Sequence, residues 1–170
     1  MKVVCAWCQK TLKRGDMSGD EVSHGICPDC LRRSMGGLEI TLSEFLDKLE
    51  FPVLVTNHDT VVLEANRQAA DILGKPTEQL KNTLSGVAIN CMYSQLLDGC
   101  GKTEHCAGCA LRKSITDTFA DGQPRYGVYS PHDIMVRGGT RPVRFRFSTV
   151  RTGDAVMLSI EGIEYLTGKS

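Results

Sequence analysis

The stretch FPVLVTNHDTVVLEANRQAADILG, residues 51–74, carries two short β-branched runs, a polar turn and a helix. The runs flank Asn57-His58-Asp59, which reads as a hairpin turn. Residues 65–74 then read as a short helix whose inner stripe is Ala65, Ala69, Ile72 and Leu73. Gly74 supplies its C-terminal stop.

Upstream, Thr41-Leu-Ser-Glu44 has the spacing of a capping box, and Leu42, Phe45, Leu46 and Leu49 follow at helical period before Pro52. Downstream, KPTEQLKNTLSG predicts one or two helical turns. A helix over 109–121 carries Leu111, Ile115 and Phe119 one turn apart, with Gly122 beyond. The last third is strand-rich. RYGVYSPHDIMV (125–136) contains Pro131, which suits an edge or bent strand. PVRFRFSTV (142–150) alternates, with Val143, Phe145, Phe147 and Thr149 on one face and Arg144, Arg146 and Ser148 on the other. DAVMLSIEGI (154–163) is the final strand, joined by the turn at RTGD. Two early strands cannot form a stable sheet alone and must pair with the three later ones. The expected fold class is α+β, a single five-stranded antiparallel sheet with helices on one face.

The chain has 170 residues, with 20 basic and 20 acidic side chains. Without a net positive field, nucleic acid is not expected as a partner. No apolar run approaches the ~20 residues of a membrane span, and MKVVCAWCQK does not read as a secretory signal. A cytoplasmic protein with no membrane association is expected, and there thiols stay reduced.

Eight cysteines then need an explanation. Cys5-x2-Cys8 and Cys27-x2-Cys30 have the spacing of a structural zinc site, with a redox dithiol as the competing reading. Residues 1–36 hold too few large apolar side chains to close a core without a metal staple, so they read as a four-cysteine zinc-binding module. Met35-Gly-Gly37 reads as a hinge and 37–50 as a linker helix. Lys10, Lys13, Arg14, Arg32 and Arg33 are offset by Asp16, Asp20, Glu21 and Asp29, which argues for a solvated face. His24 reads as a surface side chain.

Cys91, Cys100, Cys106 and Cys109, in GCGKTEHCAGCALRKS and the segment before it, form a second set whose spacing matches no standard ferredoxin run. Its thiolates would lie at the N-terminus of helix 109–121, where unpaired N–H groups favour negative charge. Three readings stay open: a second structural zinc, an iron–sulfur cluster that senses oxygen or redox state, and disulfides or a reactive thiol pair. His105 reads as an exposed loop histidine, and His58 and His132 as scattered residues. Arg141, Arg144, Arg146 and Arg151 read as a basic stripe near strand 142–150.

Residues 51–166 resemble a PAS sensory domain: two strands, Asn66 opening a short helix that ends in Leu-Gly, and three closing strands with SIEGIEYL at the end. The first hairpin turn lacks the family's glycine and has His58-Asp59-Thr60 instead. The cysteine insertion resembles bacterial PAS domains with a GCG…CxxC segment. CAWC…SHGICPDC is similar to a small zinc-ribbon-like module of bacterial signalling proteins, here with a shortened span between its cysteine pairs.

The resemblance implies a non-catalytic bacterial sensor that signals through a separate protein partner. It also implies a homodimer formed through 41–50 and the outer face of strand 142–150. No nucleotide-binding loop or catalytic nucleophile–base pair is readable, so no catalysis is expected. The alternatives are an iron–sulfur redox sensor on the second cysteine set and a nucleic-acid-binding zinc-ribbon regulator dimerised by its PAS domain.

Overall fold

A computed structural model describes residues 2–14, 22–35 and 41–167. The expected hinge at 35–37 and the start of the expected linker helix lie partly outside them.

The decisive hairpin forms as β4 (Val53–Thr56) and β5 (Val62–Ala65), paired antiparallel. Its turn manages without glycine. The Asn57 Oδ1 accepts hydrogen bonds from the Asp59 and Val61 amides at 3.0 and 2.9 Å, as an Asx turn does. Thr60 takes φ +67°, costly for a β-branched residue, and is fully buried. Its amide donates to Asn57 O, and its carbonyl accepts from Ser85 N at 2.8 Å.

Asn66 caps α3 (Arg67–Leu73) and does more besides. Its Oδ1 accepts from Ala69 N at 3.0 Å and Val53 N at 2.9 Å, while Nδ2 donates to Leu46 O and Phe51 O at 3.1 and 2.8 Å. One buried amide thus fastens helix, strand and the preceding segment together. Gly74 closes α3 at φ +65°. Ile72 departs from expectation: it is 40% exposed because it lies about 100° round the helix from Leu73, off the stripe that Ala69 and Leu73 bury.

Two one-turn helices follow, α4 (Thr77–Leu80) and α5 (Ser85–Ala88). The cysteine-bearing segment then leads into α6 (Ala110–Asp121), which Gly122 ends at φ +71°. The chain closes with β6 (Arg125–Val136), β7 (Gly139–Thr152) and β8 (Ala155–Tyr165). Sheet order is β5-β4-β8-β7-β6, antiparallel throughout, with Pro131 on the edge strand as expected. The inner face presents Leu54, Val62, Phe145, Phe147, Val156 and Leu158 to Ala69, Leu80, Leu111 and Ile115. The Thr118 and Thr149 hydroxyls meet at 2.8 Å inside this layer.

The other face of the sheet is also covered. β1 (Lys2–Cys5), β2 (Thr11–Lys13) and β3 (Val22–Gly25) form a small sheet in the order β2-β1-β3, with β1 and β3 parallel. α1 (Pro28–Met35) follows it. Cys5, Ile26, Cys27 and Leu31 from this unit share one buried cluster with Phe45, Leu46, Leu49, Val53, Val55, Val150 and Met157. Phe45 and Leu46 belong to α2 (Leu42–Leu46), whose capping box between Thr41 and Glu44 is complete. The Lys13 ammonium donates to Tyr126 O and Gly127 O at 3.1 and 3.2 Å, fastening the unit to the start of β6.

The basic stripe does not form. Arg144 pairs with Glu164, Arg146 pairs with the buried Glu161, and Arg151 lies over the Phe119 ring on the opposite face of the sheet. Strand alternation is the reason, since an odd spacing from Arg146 to Arg151 reverses the side chain.

Replacing Asn66 by Ala would leave the buried Val53 and Ala69 amides and the Phe51 carbonyl without partners, while Leu46 O would keep only Leu49 N. We expect Asn66→Ala to lower unfolding free energy by about 3 kcal/mol. Asn66→Asp should also lose stability, because it keeps both acceptor bonds but sets a buried carboxylate oxygen against the Leu46 and Phe51 carbonyls. Denaturant titration checks both.

Candidate metal centres

The first cysteine quartet is assembled by backbone geometry. Cys5 ends β1, and the chain doubles back through a turn in which Gln9 N donates to Cys5 O at 2.9 Å and Gln9 takes φ +59°. This places Cys8 beside Cys5. Cys27 follows β3 and Cys30 lies in the first turn of α1, so both pairs emerge from the same end of the β1–β3 ladder. All four sulfurs lie within 4.8 Å of one another, and Cys8 Sγ and Cys27 Sγ are 3.7 Å apart. Tetrahedral thiolates at ~2.3 Å from an ion would stand about 3.8 Å apart, so the quartet fits a single zinc-sized ion.

Amides support the sulfurs. Cys27 N donates to Cys5 Sγ and Cys30 N to Cys27 Sγ, each at 3.4 Å. Burial alone would push the Cys5 thiol up, but amide donors around it outweigh that and bring it down to about 6. Burial and the neighbouring sulfurs drive Cys30 up to about 12. Without a cation the set can carry only part of its charge, as expected for thiols that share an ion. His24 is exposed on β3.

The second quartet is placed differently. Cys91, Cys100, Cys106 and Cys109 all line one cavity of about 210 Å³, with Gly86, Tyr93, His105 and His132 also in its wall. Among the described residues these four do not close into a group of donors within 4.8 Å of one another, as the first four do. Burial pushes the Cys91 and Cys100 thiols up. Burial acts likewise on Cys106, but the Thr103 hydroxyl at 3.2 Å and the Gly101 amide at 3.1 Å leave it lowered. Cys109 is the N-cap of α6, its sulfur accepting from Arg112 N at 3.5 Å.

A family model described as PAS fold matches residues 41–155. The chain belongs to the PAS family. Structural comparison returns a PAS domain from Desulfitobacterium hafniense, at 17% identity over 73% of this chain and 100% of that one, TM-score 0.42. It also returns the photoactive yellow protein domain of the sensor histidine kinase Ppr from Rhodospirillum centenum, at 11% identity over 77% and 99%, TM-score 0.46. A domain of a sensory box sensor histidine kinase/response regulator from Geobacter sulfurreducens matches at 9% identity over 70% and 89%, TM-score 0.46. No curated protein matches the sequence. No helix among the described residues is long and apolar enough to cross a membrane.

Within this PAS domain the cysteine-lined cavity lies between α5, the cysteine segment, the start of α6 and the inner side of β6. Several of its residues escape a reading of the sequence. Gly86 looks like an ordinary helix residue, yet a Cβ there would lie 2.5 Å from Cys100 Sγ. Arg112 looks like surface charge on α6, yet its guanidinium packs over Gly101, which takes φ +88°. His105 is exposed, as expected, and also stacks on Tyr93 with ring centroids 4.0 Å apart. His132, expected as one of several scattered histidines, faces inward from β6 and bonds the Ser130 hydroxyl at 2.8 Å; that hydroxyl in turn accepts from Leu111 N.

Burial holds the His132 imidazole down at about 4 from its usual 6.5, with Asp133 opposing weakly. Below pH 6.5 the unfolded chain takes up a proton that the native imidazole refuses, so stability falls as pH falls across that window. The loss is about 3 kcal/mol when complete. His132→Gln should flatten this part of the pH profile relative to the parent protein. Denaturant unfolding at a series of pH values from 4 to 6.5 measures it.

Proposed function

We propose that this chain is a non-catalytic signal-transduction sensor. In this reading a zinc ion on Cys5, Cys8, Cys27 and Cys30 staples a small N-terminal module onto the outward face of a PAS sheet. The signal passes to a separate protein partner. The observation that carries the reading is the shared core: Cys5 and Cys27 are buried in the same cluster as Phe45, Val55, Val150 and Met157. A change at the metal is therefore mechanically continuous with three strands of the sensory sheet.

Zinc suits the donors, because four thiolates at single-ion spacing leave no open coordination position for chemistry. Zinc would supply a fixed tetrahedral joint between the two sulfur-bearing turns. The rest is done by the protein: Cys27 N and Cys30 N hold the sulfurs, and Leu31 and Ile26 carry the joint into the core. For a second copy of the chain, the part of the outward face that the module leaves open is the surface we assign, around Tyr129 and Arg144. Tyr129 is 51% exposed there, with the Arg144 guanidinium 5.1 Å from its ring centre. The net charge of zero and the pairing of Arg144 and Arg146 with glutamates disfavour a nucleic-acid surface on this face.

Stripping the metal with a chelator should release one zinc from this quartet. Amide exchange should then rise in β1–β3, α2, β4 and β8, while α6 and its Leu111 and Ile115 stay protected. Cys8→Ser should reproduce the pattern. Protein that carries no metal at these residues, or a sheet whose exchange ignores its removal, would overturn the reading.

A further inference from the structure

We propose that Cys91, Cys100, Cys106 and Cys109 hold an iron–sulfur cluster rather than a single metal ion. The inference rests on the single-ion reading of the first quartet and stands on a comparison between the two sets. The same chain shows what its thiolates look like when they converge on a single ion: the N-terminal four lie within 4.8 Å of one another. The second four are held further apart, around open space of about 210 Å³. That is several times the ~30 Å³ share of one water, and far more than a lone cation between thiolates occupies. A cluster places iron and inorganic sulfide between its cysteines, so its ligands must ring a larger centre.

The surroundings suit such a centre. Two of the sulfurs are met by backbone amides, Cys106 by Gly101 N at 3.1 Å and Cys109 by Arg112 N at 3.5 Å, and the Thr103 hydroxyl also reaches Cys106 at 3.2 Å. Such donors stabilise the thiolate form of the sulfurs they reach. Among the described residues a single cationic side chain, Arg112, lines the cavity with them. Four thiolates, Cys91 buried and the other three half-buried, against one guanidinium leave negative charge that iron would neutralise. The cysteines are free of disulfides. Leu111, Pro131 and the stacked Tyr93 and His105 rings complete the wall, giving the cavity the partly apolar lining that shields such centres from solvent.

The fold has made room for sulfur at a specific position. A Cβ on residue 86 would stand 2.5 Å from Cys100 Sγ and 3.3 Å from Cys100 Cβ, so any larger residue there would push this cysteine out of its present place. Gly86 is thus a positioning residue, and its role can be tested without touching any ligand.

The test uses the full chain, produced with added iron and purified without oxygen, then assayed for iron, acid-labile sulfide, zinc and visible absorption. Iron and sulfide should appear in equal amounts, with a broad visible band, alongside zinc confined to the first quartet. Cys106→Ser and Gly86→Ala should lose iron, sulfide and the band while keeping that zinc. Cys8→Ser should lose the zinc and keep the band. Zinc at both quartets, iron without sulfide, or colourless protein with four free thiols after incubation with ferrous iron and sulfide would each overturn the proposal. Composition of the parent protein decides the matter even where a variant fails to fold.

Discussion

The structure depends on a shared burial: Cys5 and Cys27 turn their sulfurs toward Cys8 and Cys30, while their backbones feed Ile26 and Leu31 into the apolar cluster over Phe45 and Met157. Neither side is complete alone. The N-terminal unit, with three strands of three or four residues and one helix, has too little apolar surface to fold by burial. The outward face of the sheet, with Val53, Val55, Val150 and Met157, would otherwise show water a hydrophobic patch. Each solves the other's problem, and a metal bound there couples its own affinity to the stability of the joint.

The second quartet answers a different constraint. Residues 85–109 contain little regular structure, only one-turn helices, and they cover one end of the inner core. Such a segment normally leaves backbone groups unsatisfied. Here the Cys106 sulfur accepts the Gly101 amide, and Cys109 caps α6 where Ser, Thr, Asp or Asn usually stands. Cys106 and Cys109 therefore serve as acceptors for backbone amides. This explains how an irregular stretch packs against Ile134 and Leu111 without a longer helix.

Much of this was legible from residue order. Period-two alternation in 142–150 placed Val143, Phe145 and Phe147 inward, and the Thr41–Glu44 pair and Gly74 marked helix ends that the structure shows. Local rules carry that information because they act within one turn or one pleat. What was not legible depends on long-range approach. Nothing near Gly86 announces that Cys100 will press against it, and nothing near His132 announces a cavity built from residues 85–112. Likewise the coverage of the outward sheet face could not be read from its own strands, because part of the cover, Ile26 and Leu31, lies more than twenty positions upstream of β4. The arginine stripe misled for a simpler reason: counting charges along a strand ignores which side each one faces.

The parallel pairing of β1 with β3 has one further consequence. Register in that ladder runs Lys2 to Val22 and Cys5 to Gly25, so the two sulfur-bearing turns are aligned by hydrogen bonds between strands. Outside β2 and β3 themselves, the number of residues between Cys8 and Cys27 plays no part in that alignment. Evolution is therefore free to lengthen or trim the intervening chain, or to graft new surface into it, while the sulfur geometry stays as it is.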